Sequence, residues 1–238
     1  MRMPSERGRN SAPLSAGSTG GPKQGRPAKV DLPREIVEEL RQMVRGDKAD
    51  EAISYLSRAT VLLARGDPGA ATKEAEKARV FAPRSSAVRE VLGLAHYGCE
   101  RFKEALAELQ AYRRMSDRLD QNHIIADCYR ALGQPGKAVS AVEEELRARV
   151  SAEAKAEATV VGASALADMG KFDQALAMLR RFSQRRDVGA DYDLRVWYVT
   201  GDVLARAGRR EEAAAEFRRI VRHDSAAFDA AERLSDLS

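Results

Sequence analysis

Aromatic residues make up only 5% of this 238-residue chain, tryptophan occurs once and cysteine twice. Each shortage excludes something. Cys99 and Cys128 lie in the middle of predicted helices without a Cys-x-x-Cys partner, which excludes a disulfide framework and leaves reduced thiols. No apolar run approaches the roughly eighteen residues a membrane-spanning helix needs, so a soluble chain with no membrane partner is expected. The N-terminus, MRMPSERGRN, is followed by Ser, Gly and Pro instead of an apolar segment, so no secretory leader is expected and the cytoplasm is the expected compartment.

The chemistry-bearing motifs are missing as well. A phosphate-cradling loop needs a strand, a glycine cluster and a helix in succession, and no such context occurs. His96, His123 and His223 are far apart and none forms a zinc-type pair, so neither a cofactor nor a metal is expected. His123 and Cys128 are five apart on one predicted helix, which puts them on different faces and excludes a thiolate–imidazole nucleophile. Nothing singles out a catalytic pair among the 36 acidic residues, and the chain is not expected to be an enzyme.

What is present is charge, unevenly placed. The net charge is +4, yet residues 1–30 alone carry six basic residues against Glu6, and the remainder is nearly neutral. The first 30 residues are rich in Ser, Gly, Pro and Arg with almost no large apolar side chain, so they cannot bury enough surface to fold. They read as a disordered basic tail. Its QGRPAK piece is faintly like a minor-groove DNA-binding core, and a nucleic-acid or ribonucleoprotein-associated role through the tail is the alternative function. The body, by its neutrality, is not expected to attract polyanions. Arginine outnumbers lysine 31 to 9, a bias that points to GC-rich bacterial coding.

From residue 31 the pattern becomes helical. Asp31 and Pro33 are suited to a helix start, and Ile36, Val37, Leu40 and Val44 make one apolar face of a capping helix within 31–47. Five helix hairpins are then expected at about 52–85, 86–119, 119–152, 153–188 and 190–225, within an array over 48–225. The last is the clearest. In WYVTGDVLARAGRREEAAAEF, Trp197, Gly201 and Leu204 share a face of a first helix, Gly208 turns the chain, and Ala213 and Phe217 share a face of a second. The small second-helix residue recurs as Ala71, Ala105, Ala138, Ala175 and Ala213, with steps of 34, 33, 37 and 38. The longer steps are expected to be absorbed in loops such as 187–190. A closing helix over 226–238 is expected to cover the far end with Phe228, Ala231, Leu234 and Leu237.

Trp-x3-Gly-x2-Leu, then Gly, then Ala-x3-Phe, at a period near 34, resembles the tetratricopeptide repeat. The resemblance spans residues 50–238. It departs from the family pattern at Arg89 and Thr159, where a first-helix aromatic is usual, and at Pro135, which replaces an aromatic after the turn. It implies an all-α, right-handed superhelical solenoid. It also implies a non-catalytic scaffold or adaptor that holds a partner's peptide or helix on the concave face formed by the first helices.

Carried over position by position, that face comprises Glu90, Leu94 and Tyr97 in the second hairpin and His123, Asp127 and Arg130 in the third. The fourth contributes Ser164 and Asp168, and the fifth Arg195, Tyr198, Asp202 and Arg206. The Lys and Asn with which chaperone-binding members clamp a terminal carboxylate are missing at these places. Two readings of the charges stay open: Arg130 and Arg206 can take a partner's carboxylates, or Asp127 with Arg130 and Asp202 with Arg206 satisfy each other within a helix. The doublets Arg113-Arg114, Arg180-Arg181, Arg185-Arg186 and Arg218-Arg219 fall late in second helices, where cations suit the negative helix end.

Overall fold

The computed structural model describes residues 31–183 and 191–237. The basic tail, the expected 187–190 loop and Arg185-Arg186 lie outside the described residues. Among the described residues there are helices and no strand. They are α1 Arg34–Met43, α2 Asp47–Ala64, α3 Pro68–Phe81, α4 Ser86–Gly98, α5 Phe102–Ser116 and α6 Asn122–Ala131. They continue as α7 Pro135–Arg147, α8 Ala152–Asp168, α9 Phe172–Ser183, α10 Asp191–Arg206, α11 Arg210–His223 and α12 Ala230–Asp236. The pairs α2/α3, α4/α5, α6/α7, α8/α9 and α10/α11 are antiparallel hairpins stacked in chain order. Each second helix packs on the next first helix, and successive first helices from α2 to α10 also touch, forming one continuous layer.

All five hairpins turn through a residue in the left-handed region: Gly66, Gly133, Gly170, Gly208 and, without a glycine, Glu100 at φ 58°. The closure is the same each time. At the last hairpin the Gly208 N–H donates to Ala205 O and the Arg209 N–H to Leu204 O, at 3.0 and 2.9 Å. At the second, Glu100 and Arg101 donate to Tyr97 O and His96 O at 2.9 Å each. Pro68 and Pro135 open α3 and α7, where a missing N–H sacrifices no helical bond. Pro135 thus takes the place of an aromatic without disturbing the turn.

The helices of a hairpin cross where a small residue meets a side chain sixteen positions on. A β-carbon on Gly93 would lie 2.7 Å from Leu109 Cγ, and one on Gly162 would lie 2.8 Å from Met178 Sδ. In the fifth hairpin Gly201 meets the ring of Phe217. The first and third hairpins place fully buried Ala59 with Ala75 and Ala126 with Val142 at the same spacing. Where glycine stands at the crossing, a larger side chain fills the space it leaves, as close packing demands. Where the repeat pattern lacks its aromatic, Arg89 substitutes a clamp: its guanidinium donates to Pro83 O and to Glu108, which Arg79 also holds at 2.8 Å.

The ends differ in detail from expectation. Asp31 does not cap α1: its N-cap residue is Pro33, whose carbonyl accepts from Ile36 and Val37. Leu40 is the residue of α1 that is fully buried, against Ala52, Leu56, Ala78 and Val88. At the other end the helix begins at Ala230, not Ala226. Asp224 Oδ1 accepts the Ala226 N–H at 2.9 Å, a local bond that competes with helix formation. Phe228 consequently precedes α12 at φ 55°, half exposed, and Ala230 occupies the buried place while Ala231 is exposed.

Candidate functional site

The twelve residues expected on the concave face all lie on α4, α6, α8 and α10, the first helices. Six of them are joined, with one addition, into a rail that crosses the hairpins. Tyr97 donates its hydroxyl to Asp127 Oδ2 at 2.6 Å. The other oxygen of Asp127 accepts from Arg130 at 2.8 Å, and Arg130 Nε also reaches Asp168 Oδ2 at 2.9 Å. Asp168 Oδ1 in turn accepts from Arg206 at 3.1 Å. Arg206 lies 3.8 Å from Asp202, whose closer partner is Arg233 of α12 at 2.9 Å.

Asp168 therefore holds two arginines, one 38 residues before it and one 38 after. Three carboxylates alternate with three guanidinium groups, so the rail has no formal net charge. Its charged members keep between 20% and 37% of their side-chain surface open to solvent. Of the two in-helix pairs expected, Asp127 with Arg130 forms, whereas Asp202 with Arg206 is long and secondary to partners on neighbouring hairpins. Burial and the adjacent Asp127 push the Tyr97 phenol far above its ordinary range, so it acts only as a donor.

Tyr198 stands beside this rail. Its hydroxyl donates to Asp229 at 2.6 Å, and its ring packs against Phe217 and Phe228, with centroids 5.6 and 5.0 Å away. Arg195 lies 2.9 Å from Glu157. Glu90 accepts from Gln121 at 2.8 Å, and its burial raises the carboxyl above the usual range. Leu94 packs partly buried against the Leu109, Ile125 and Ala126 cluster. Ser164 is half-buried on α8. His123 is engaged with the second helix of its own hairpin, its Nδ1 2.9 Å from Glu145 Oε1.

Gln121, Glu145, Glu157, Asp229 and Arg233 are the partners the sequence reasoning missed. A signal for three of them exists: Glu90 with Gln121, Tyr198 with Asp229 and Asp202 with Arg233 are each 31 apart, three short of the 34-residue period. The arginine doublets also do more than face a helix end. Arg113 binds Glu144 of α7 at 2.5 Å, and the Arg219 guanidinium carbon lies over the Trp197 ring, 3.7 Å from its centroid. Among the described residues no cluster of His, Cys, Asp and Glu is arranged to hold a metal ion, and no helix is long and apolar enough to cross a membrane.

Stacked helix hairpins with a polar rail along their first helices define an all-α repeat solenoid, a class of protein-interaction scaffold. The tetratricopeptide repeat family model matches residues 56–120 and 161–234, and the chain belongs to that family. Repeats of this family are generally non-catalytic scaffolds. No curated protein sequence matches the chain.

Solved structures share the fold at low sequence identity. TTC0263, a thermophilic TPR protein of Thermus thermophilus, is 18% identical with a TM-score of 0.62, over 78% of this chain and 98% of its own. YrrB, described as a TPR protein with an unusual peptide-binding site, is 20% identical with a TM-score of 0.55, over 78% and 93%. The quorum sensor NprR of B. thuringiensis, without ligand, is 16% identical with a TM-score of 0.67, over 84% of this chain and 62% of its own. NprR is also known in complex with its cognate peptide NprX.

Proposed function

We propose that this protein is a non-catalytic scaffold or adaptor that holds a peptide or helix of a partner protein against the concave face of its first helices. The observation that carries this reading is the rail from Tyr97 to Arg233, a row of oriented and partly solvated donors and acceptors along the array. A partner's side chains can exchange into such pairs, because exposed ion pairs contribute little and are readily replaced. Tyr97 and Tyr198 add flat contact area of the kind that anchors interfaces. Peptide binding by the structural relatives YrrB and NprR agrees with this reading.

The test is capture of partners by the wild-type chain and by a double variant, Tyr198→Ala with Arg206→Glu. Partners of the concave face are lost with the double variant and kept by Lys103→Glu, a change at an exposed site on a second helix. Recovery of every wild-type partner by the double variant overturns the proposal.

A further inference from the structure

Glu145 of α7 and Asn122 of α6 are both fully buried, and each leaves one oxygen without a hydrogen-bond donor. Asn122 spends its amide N–H on Ala141 O at 3.1 Å, one helical turn before Glu145, and its Oδ1 is unpartnered. Glu145 Oε1 is 2.9 Å from His123 Nδ1, and its Oε2 is unpartnered. Two buried acceptors without a donor are costly, and such groups call for an explanation. One proton on Glu145 supplies it.

We propose that Glu145 is an un-ionised carboxylic acid in the folded protein, its Oε2–H donating to Asn122 Oδ1 while Oε1 accepts from His123, and that this proton latches α6 to α7. With the His123 Nδ1–H donating to Oε1, the buried oxygens of Glu145 and Asn122 all have partners. Loss of the proton places a charge in the interior with no donor on Oε2, and removes the Asn122 contact. The hairpin so loosened carries Asp127 and Arg130 of the rail, which makes the latch a pH-sensitive joint in the middle of the array.

The charged surroundings agree. Burial pushes the Glu145 carboxyl above the usual carboxylate range; His123 of α6 acts against this, and Asp120 of the α5–α6 loop adds to it. Asp120 is itself held by Arg118 and by the Tyr112 hydroxyl of α5. On α7, the neighbouring Glu144 is paired with Arg113, and α8 brings Glu153 and Lys155 in its first turns. A carboxyl raised in the folded state stabilises fully below its ordinary value near 4.5, and that contribution is lost as pH rises through the raised value. The latch therefore fails on the alkaline side.

Infrared difference spectra of the wild-type chain against Glu145→Gln at neutral pH read the proton directly. The expected result is a carboxylic-acid carbonyl band in the wild type that the variant lacks. Glutamine keeps both hydrogen bonds without a titrating proton, so the wild-type melting temperature falls relative to the variant with rising pH. No acid band in the difference spectrum, or parallel melting profiles, overturns the proposal. Should Glu145→Gln not fold, the carboxyl carbon NMR shift of Glu145 in the wild type decides: an un-ionised shift at neutral pH supports the latch and an ionised shift overturns it.

Discussion

A β-carbon on Gly201 would lie 2.9 Å from Cζ of Phe217, closer than real β-carbons approach another heavy atom. The fifth hairpin thus crosses with a backbone against a ring. Gly201→Ala is expected to cost ~1–3 kcal/mol through overpacking, and pairing it with Phe217→Leu to recover part of that loss. Urea denaturation of the two single variants and the double variant checks this; an unchanged midpoint for Gly201→Ala would show that the ring swings aside freely.

Glu100 occupies the left-handed turn position that glycine holds in the other four hairpins. A side chain there costs ~1–2 kcal/mol, part of which glycine returns through its freer unfolded chain. Glu100→Gly should therefore stabilise by about 0.5–1 kcal/mol, visible as a higher melting temperature. A lower melting temperature would mean that the Glu100 side chain contributes more than its backbone costs.

Asp168 joins two hairpins through Arg130 and Arg206. About a third of its side chain is exposed, so the network is screened, and Asp168→Ala should cost only ~1 kcal/mol, less at high salt. Double-mutant cycles with Arg130→Ala and Arg206→Ala should each give a non-zero coupling energy, since the three side chains share one network. Additive effects in both cycles would remove the rail as an energetic unit.

The two thiols should differ in reactivity. Cys128 is fully buried, and desolvation, with the neighbouring Asp127, pushes its thiol up to about 12. Cys99 is half-buried beside Thr72, 3.9 Å from its hydroxyl. A thiol reagent at mildly alkaline pH should modify Cys99 in the folded chain and reach Cys128 only after denaturation. Rapid labelling of Cys128 in the folded state would contradict this packing.

The fold was legible because its signals are short-range along the chain. The recurring Ala71, Ala105, Ala138, Ala175 and Ala213 are all fully buried, and Trp197, Leu204 and Phe217 share one core with Ala213. Phe228 was misplaced for a local reason: a single Asp224 bond to the Ala226 amide delays α12, and helical periodicity carries no trace of such a bond.

By itself the sequence determined the helical repeat, its small and large positions and its turns, because a period and a face depend on residues within a few turns of one another. Even the close contact of Gly201 with Phe217 spans a single hairpin. Only the tertiary structure decided which side chains pair on the first helices. Asp202 has Arg206 one turn away on its own helix, yet it pairs more closely with Arg233, and Arg206 turns to Asp168. The reason is geometric: stacked first helices bring carboxylates and guanidinium groups from different hairpins within hydrogen-bonding reach, and the relative rise and rotation of hairpins that sets those distances is written in no one repeat.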